Sequence, residues 1–312
     1  LEAAGYRPIA LNISGDPADP RYAGAWVQRS GPSFTIFQDK TLAEYQSILG
    51  TLPLGFQPRI VTATGAAAAA RFAGMLEDNS LGFADIDAGT YGDVDNFANV
   101  VRGGGAGIMH SLSVYGSAAA PLLAALWGPD VQNGGHFWSF SVPTSLQRTL
   151  LDVYTQAGSR PSLLTIAPDG TYSTTWHNDV LSGGWKSYTD LKLSQYESKI
   201  ASLSKSGWQV IDVAAQGTGL AARYAAIFAK TDVPQEREWH VTGTAAPALA
   251  AFDAWAENFM QVHRIRAGEL AVVRDGRLMY AHGFTWAEPG YELTQPTDLF
   301  RIGSATKPVT SI

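Results

Sequence analysis

Short runs of alternating apolar and polar residues recur along the first 245 residues. A period of two marks a strand with one face buried. The runs are Pro8–Ile13, Pro58–Ala63, His110–Tyr115, Pro161–Ile166 and Val210–Ala214. Each leads into a glycine: Gly15, Gly65, Gly116, Gly170 and Gly217. These glycines are spaced by 50, 51, 54 and 47 residues, so the chain is an internal repeat. Seven positions after them stand Tyr22, Phe72, Leu123, His177 and Tyr224. Eleven after them stand Trp26, Leu76, Trp127, Leu181 and Phe228. The fourth copy breaks the pattern at His177, beside Trp176, which points to a register shift of one. These aromatic residues are expected in the core.

Each copy closes on a helical pattern. Thr41 with Glu44, Thr144 with Gln147 and Ser194 with Glu197 have the spacing of a capping box, and Thr90 and Thr244 sit at equivalent offsets. Leu42, Tyr45, Ile48 and Leu49 follow the first box at helical spacing. A copy therefore reads strand, Gly turn, strand, a further short strand such as Ser33–Phe37, then helix. The expected fold class is α+β, with about five such units of roughly 50 residues packed on one another because none can bury its own apolar faces. The units lie near 5–54, 55–106, 107–159, 160–206 and 207–245. A last helix, Pro247–Val262, puts Leu249, Phe252, Trp255, Phe259 and Val262 on one face. The boundary of the repeat domain is expected at residue 245, with 246–312 a second segment. The run Ala66–Ala70 favours helix yet falls where other copies turn.

Hydrophobic residues make up 46% of the 312 residues and charged residues 16%. No apolar run reaches the length of a membrane span, and a net charge of −6 gives nucleic-acid binding no electrostatic footing. With no cysteine, disulfides and thiolate metal sites are excluded. The six histidines lack metal-ligand spacing, Gly103–Gly105 and Gly134–Gly135 lack the Lys of a phosphate-binding loop, and no cofactor is implied. Asn12-Ile13-Ser14 is a candidate N-glycosylation site and hints at secretion.

The candidate chemistry lies in Phe300–Thr310. Ser304 and Lys307 are three apart, so a helix beginning near Ser304 puts both on one face. A serine hydroxyl needs a neighbouring base, and a Lys of lowered pKa can serve. Ser202 and Lys205 share the spacing, but read as a solvated helix end. Upstream, Glu269–Tyr280 reads as a hairpin turning at Asp275-Gly276.

The order of helix, Asp-Gly hairpin, loop and FRIGSATKPVT resembles the start of a serine β-lactamase-like domain, over roughly residues 247–312. The branch with AmpC-type β-lactamases, D-aminopeptidases and esterases is the most similar. The resemblance implies that Ser304 is the nucleophile and Lys307 its base. In that family a Tyr-x-Asn motif and a Lys/His-x-Gly strand complete the site. Neither occurs after Lys307 here, so this chain taken alone is expected not to turn over.

The signature GYRPIALNISG…RYAGAWVQRSGPSFTIF…TLAEYQSIL resembles the bacterial tandem repeat domain. Leu1–Ala4 matches the helix tail before Gly55, so the natural protein is expected to begin further upstream. Repeats joined to this catalytic start resemble the fungal polyglycine hydrolases. That resemblance implies a secreted, extracellular endopeptidase that cuts Gly-Gly bonds in the polyglycine linker of plant class IV chitinases, a virulence activity. The alternatives are a repeat-based protein- or glycan-binding module, or another Ser-x-x-Lys hydrolase.

Overall fold

The computed structural model describes residues 1–80, 82–103, 107–129, 136–263, 265–301, 303–305 and 307. The chain forms two compact units, Leu1–Pro234 and Gln235–Ile312. Among the described residues no helix is long and apolar enough to cross a membrane.

The first unit opens with a two-stranded hairpin, β1 (Tyr6–Asp16) and β2 (Asp19–Gln28). Then come β3 (Phe34–Lys40), α1 (Leu42–Gly50), β4 (Phe56–Thr64) and β5 (Arg71–Asp78). The order recurs in β6 (Ala84–Gly89), α2 (Tyr91–Gly103), β7 (Ile108–Ser117) and β8 (Ala120–Gly128). It recurs again in β9 (His136–Val142), α3 (Thr144–Gln156), β10 (Arg160–Ile166) and β11 (Tyr172–His177). The last copy of this unit is β12 (Trp185–Leu191), α4 (Leu193–Leu203), β13 (Gln209–Gln216) and β14 (Arg223–Ala229). The second unit has the same order in β15 (Glu238–Ala245), α5 (Ala251–His263), β16 (Ala267–Arg274) and β17 (Arg277–Ala287).

The α+β character holds, but the sheets are phased differently from the sequence units. In each three-stranded sheet the last strand is central and antiparallel to both neighbours, as in β3-β5-β4. The outer two strands are therefore parallel, and parallel strands need a crossover, which the helix supplies. A sheet thus joins the short strand and helix of one sequence unit to the hairpin of the next. The boundary expected at residue 245 also moves, because β15 pairs along its length with β17 and so belongs to the second unit.

The five marker glycines all lie in the left-handed region, with φ from 81° to 93°. This is the conformation that a residue with a Cβ resists. Ladder pairing aligns Trp26, Leu76, Trp127, Trp176 and Phe228 opposite Pro8, Pro58, Met109, Pro161 and Val210. In the fourth copy Tyr172 and Trp176 therefore take the places assigned to His177 and Leu181, a longer shift than one residue. Phe72, Leu123, Trp127, Trp176 and Phe228 are buried, as expected of a core. Tyr22 is exposed, on the β1–β2 hairpin, which has no third strand among the described residues. The Ala66–Ala70 stretch forms a short 3-10 turn over Ala67–Ala69.

The first strands of the hairpins, β1, β4, β7, β10 and β13, are successive neighbours, and β13 returns to β1. They form a closed ring without a backbone ladder. Amide groups instead donate to side chains on the next strand. Ile13 N donates to Thr62 Oγ1 at 3.0 Å, Ala63 N to Ser113 Oγ at 3.0 Å and Val114 N to Thr165 Oγ1 at 3.4 Å. Leu164 N donates to Asp212 Oδ2 at 2.7 Å, and Ala215 N closes the ring on Asn12 Oδ1 at 3.0 Å. Asn12 is only 9% exposed. Its side-chain oxygen is the acceptor that closes the ring.

Helix starts follow the expected chemistry in part. Thr41 and Glu44 form the full capping box. Thr90 pairs reciprocally with Asp93 in the same manner. Thr144 is instead the first helical residue after Pro143, and Gln147 is fully buried with its amide donating to Thr174 Oγ1. Ser194 lies inside α4, whose start at Lys192 is closed by Gln195 Oε1. Thr244 belongs to β15.

Candidate functional site

The chemistry expected of this protein sits in the second unit, after the β15-β17-β16 sheet. Helix α5 starts behind Pro247, whose missing N–H costs nothing there. It buries Ala256 and Met260 against Tyr280, Phe284 and Trp286 of β17. Much of the apolar stripe read from the sequence is turned out within this unit: Trp255 is 57% and Val262 65% exposed. Leu249 packs on the core cluster, and the Phe252 ring meets Tyr280 edge-on with centroids 5.6 Å apart. The helix thus has two apolar faces, and the smaller residues fit closest to the sheet.

Asp253, in the first turn of α5, fixes the helix to β17. Its Oδ1 accepts from Tyr280 Oη at 2.5 Å and lies 2.7 Å from His282 Nδ1. Burial and the Asp253 carboxylate hold the Tyr280 phenol above its usual range, so it stays a neutral donor. At the far end of β17, Glu288 is buried and accepts two bonds from Arg266, both at 2.9 Å. It also accepts from Arg237 Nε at 3.2 Å. These guanidinium groups hold the Glu288 carboxyl below its usual range against the opposing effect of burial. The clamp ties the starts of β15 and β16 to the end of β17.

The segment leading to Ser304 is laid over this sheet. Thr294 N donates to Thr285 Oγ1 at 2.8 Å, and Thr242 Oγ1 donates to Thr294 O at 2.5 Å. Close approach needs two glycines. A Cβ on Gly283 would meet Thr294 O at 2.2 Å, and one on Gly243 would meet Ala281 O at 2.2 Å and Pro296 at 2.5 Å. Sequence reasoning missed Thr242, Gly243, Gly283, Thr285 and Thr294. The available signal was a Gly inside a strand pattern, which marks a close backbone approach. Gln295 N then donates to Asp298 Oδ2 in a turn before Leu299.

Ser304 lies in the 3-10 turn Gly303–Ala305, and its side chain is exposed. Lys307 is helical and exposed. Among the described residues neither makes a hydrogen bond or ion pair. Ile302, Thr306 and 308–312 of the motif lie outside the described residues. Ser202 and Lys205, the second pair of that spacing, are exposed where α4 passes into a 3-10 turn.

Comparison with known families supports both parts of this picture. Residues 252–312 match the β-lactamase family model. Residues 1–29 and 182–231 match the model described as a polyglycine hydrolase-like structural repeat. The chain joins polyglycine hydrolase-like repeats to a β-lactamase-like segment. The two repeat matches are neighbours in the ring, since they hold Asn12 and Ala215. The β-lactamase match takes in α5, the β16–β17 hairpin, the strapped loop, Ser304 and Lys307.

Proposed function

We propose that the protein is a serine hydrolase working through an acyl-enzyme on Ser304. The observation that carries the reading is the β-lactamase match across the Ser304-x-x-Lys307 segment, with both side chains exposed. Lys307 Nζ takes the hydroxyl proton while Ser304 Oγ bonds to the substrate carbonyl carbon. The C–N bond then breaks and the leaving amine takes a proton. Water hydrolyses the resulting ester, releasing the acid and restoring the hydroxyl. No cofactor enters this chemistry.

The substrate class we propose is a glycine-rich peptide, with cleavage at Gly-Gly bonds in the polyglycine linker of a plant class IV chitinase. It is supported by the match of the repeats to the polyglycine hydrolase-like model and rests on that likeness. The enzyme would act outside the cell. The experiment is to incubate the natural protein and its Ser304→Ala variant with a polyglycine-linked chitinase and read the products by mass. Cuts between glycines, absent with the variant, support the reading. An intact linker with the wild-type protein removes the proposed substrate.

A second reading is a repeat-based binding module, favoured by the closed ring and the cavity it encloses. Binding to the chitinase or a glycan that persists in Ser304→Ala, with no cleavage by wild type, would favour it.

A further inference from the structure

The inner strands of the ring carry one equivalent irregularity each. The ladder shifts register at Pro8/Ala10, Pro58/Ile60, Met109/Ser111, Pro161/Leu163 and Val210/Asp212. Each shift leaves one extra residue, a β-bulge, which re-aims a side chain. The five bulge residues are Ile9, Arg59, His110, Ser162 and Ile211. All five line a single cavity of about 380 Å³.

With Arg59 counted, four arginines and three acidic side chains line it. Three arginines have carboxylate partners. Arg7 pairs with Glu77, Arg160 pairs with Asp179, and Arg29 lies 2.8 Å from Asp232. Among the described residues Arg59, the fourth, makes no hydrogen bond or ion pair. Glu77, the anion it feels, is engaged by Arg7 and by Asn79 Nδ2 at 3.2 Å. His110 supplies no counter-charge: burial and the Arg59 charge hold its imidazole far below its usual range, hence neutral. His177, also in the lining, has a buried Nε2 without a partner among the described residues.

The fold does not ask for a cation at this place, because two equivalent bulges carry isoleucine. A half-buried guanidinium with no partner among the described residues costs stability, so its presence calls for an anion. We propose that this cavity binds a small monocarboxylate with an apolar body, held by Arg59. A planar guanidinium matches a carboxylate through two parallel N–H···O bonds. Ile9, Ile60, Met109, Leu163 and Ile211 line the rest. One unpaired cation among the described residues, in such surroundings, suits a single negative charge and leaves a phosphate dianion undercompensated. The lining residues all belong to the first unit, whereas Ser304 belongs to the second.

The test is calorimetric titration of the full chain with N-acetylleucine, N-acetylleucinamide and inorganic phosphate. The acid binds, the amide does not, and phosphate binds more weakly. Arg59→Met loses about 10-fold or more in affinity for the acid, while its melting temperature holds or rises. Arg59→Lys keeps the charge, loses the fork and binds more weakly than wild type. Equal binding of acid and amide, tighter binding of phosphate, no binding of the acid, or unchanged affinity in Arg59→Met each overturns the proposal. Should Arg59→Met fail to fold, the acid–amide comparison on wild type and the Arg59→Lys titration still decide it. An N-acetylated tripeptide ending in Leu separates a free acid from a peptide C-terminus: whichever binds tighter names the source, and neither binding overturns the site.

Discussion

Asn12 Oδ1 and Ala215 N, 203 residues apart, share a buried hydrogen bond of 3.0 Å that closes the ring of inner strands. The other rungs are made by hydroxyls or a carboxylate one period along the chain. This one joins the two ends of the series. Asn12→Leu leaves the Ala215 amide buried without an acceptor and should cost about 1–3 kcal/mol. Asn12→Thr supplies the hydroxyl that Thr62 and Thr165 use and should cost less. Urea unfolding checks the order, and equal losses would remove the rung.

Asp212 makes the rung between β10 and β13, and burial pushes its carboxyl up to about 7. An acid whose folded pKa is raised holds a proton that the unfolded chain releases. Stability of the first unit therefore falls as pH rises from about 4 to about 7, and levels off above. Asp212→Asn keeps the acceptor for Leu164 N and has no proton to lose. It should be more stable than wild type at pH 8, on the order of 2–4 kcal/mol, with no gain at pH 4. Melting curves at both pH values test this.

Glu288 has the opposite sign. Its folded pKa is lowered, so its contribution is present above the ordinary carboxylate range and is lost as pH falls through the folded value. The second unit should loosen in acid. Glu288→Ala removes the buried carboxylate shared by Arg237 and Arg266 and should cost about 3–5 kcal/mol. Hydrogen exchange over 235–301 at pH 3 and pH 7 reads both effects.

Gly283→Ala places a methyl against Thr294 O, a backbone atom that cannot swing away. A cost of about 1–3 kcal/mol is expected, together with a displaced approach to Ser304. Acylation of Ser304 should fall further than the melting temperature alone accounts for. Unchanged acylation would separate the loop from the site.

Much of the repeat was legible, because turn glycines and alternating strands are local signals. Gly15 and Gly65 mark their turns without reference to the rest of the chain, and Thr41 caps its helix with neighbours three residues on. The phase of the repeat was not legible. A period has no natural starting point, and only the pairing of β3 with β5 shows that sheets straddle the sequence units. The apolar stripe of α5 did not show which residues meet β17, since Trp255 and Val262 are exposed within the unit while Ala256 and Met260 fit closer to the sheet. The acceptor role of Asn12 was not legible, because it depends on Ala215 at the far end of the series. Ser304 and Lys307 were legible as a motif. The strap on the segment that leads to them, Gly283 against Thr294, was marked only by a Gly inside a strand pattern, which does not say which loop approaches.

The most direct measurement is the intact mass of the natural protein after treatment with a fluorophosphonate, beside its Ser304→Ala variant. A single adduct on Ser304, absent from the variant, is the predicted result. No adduct, or one that persists in Ser304→Ala, would contradict the acyl-enzyme account and leave the ring of repeats as the functional part.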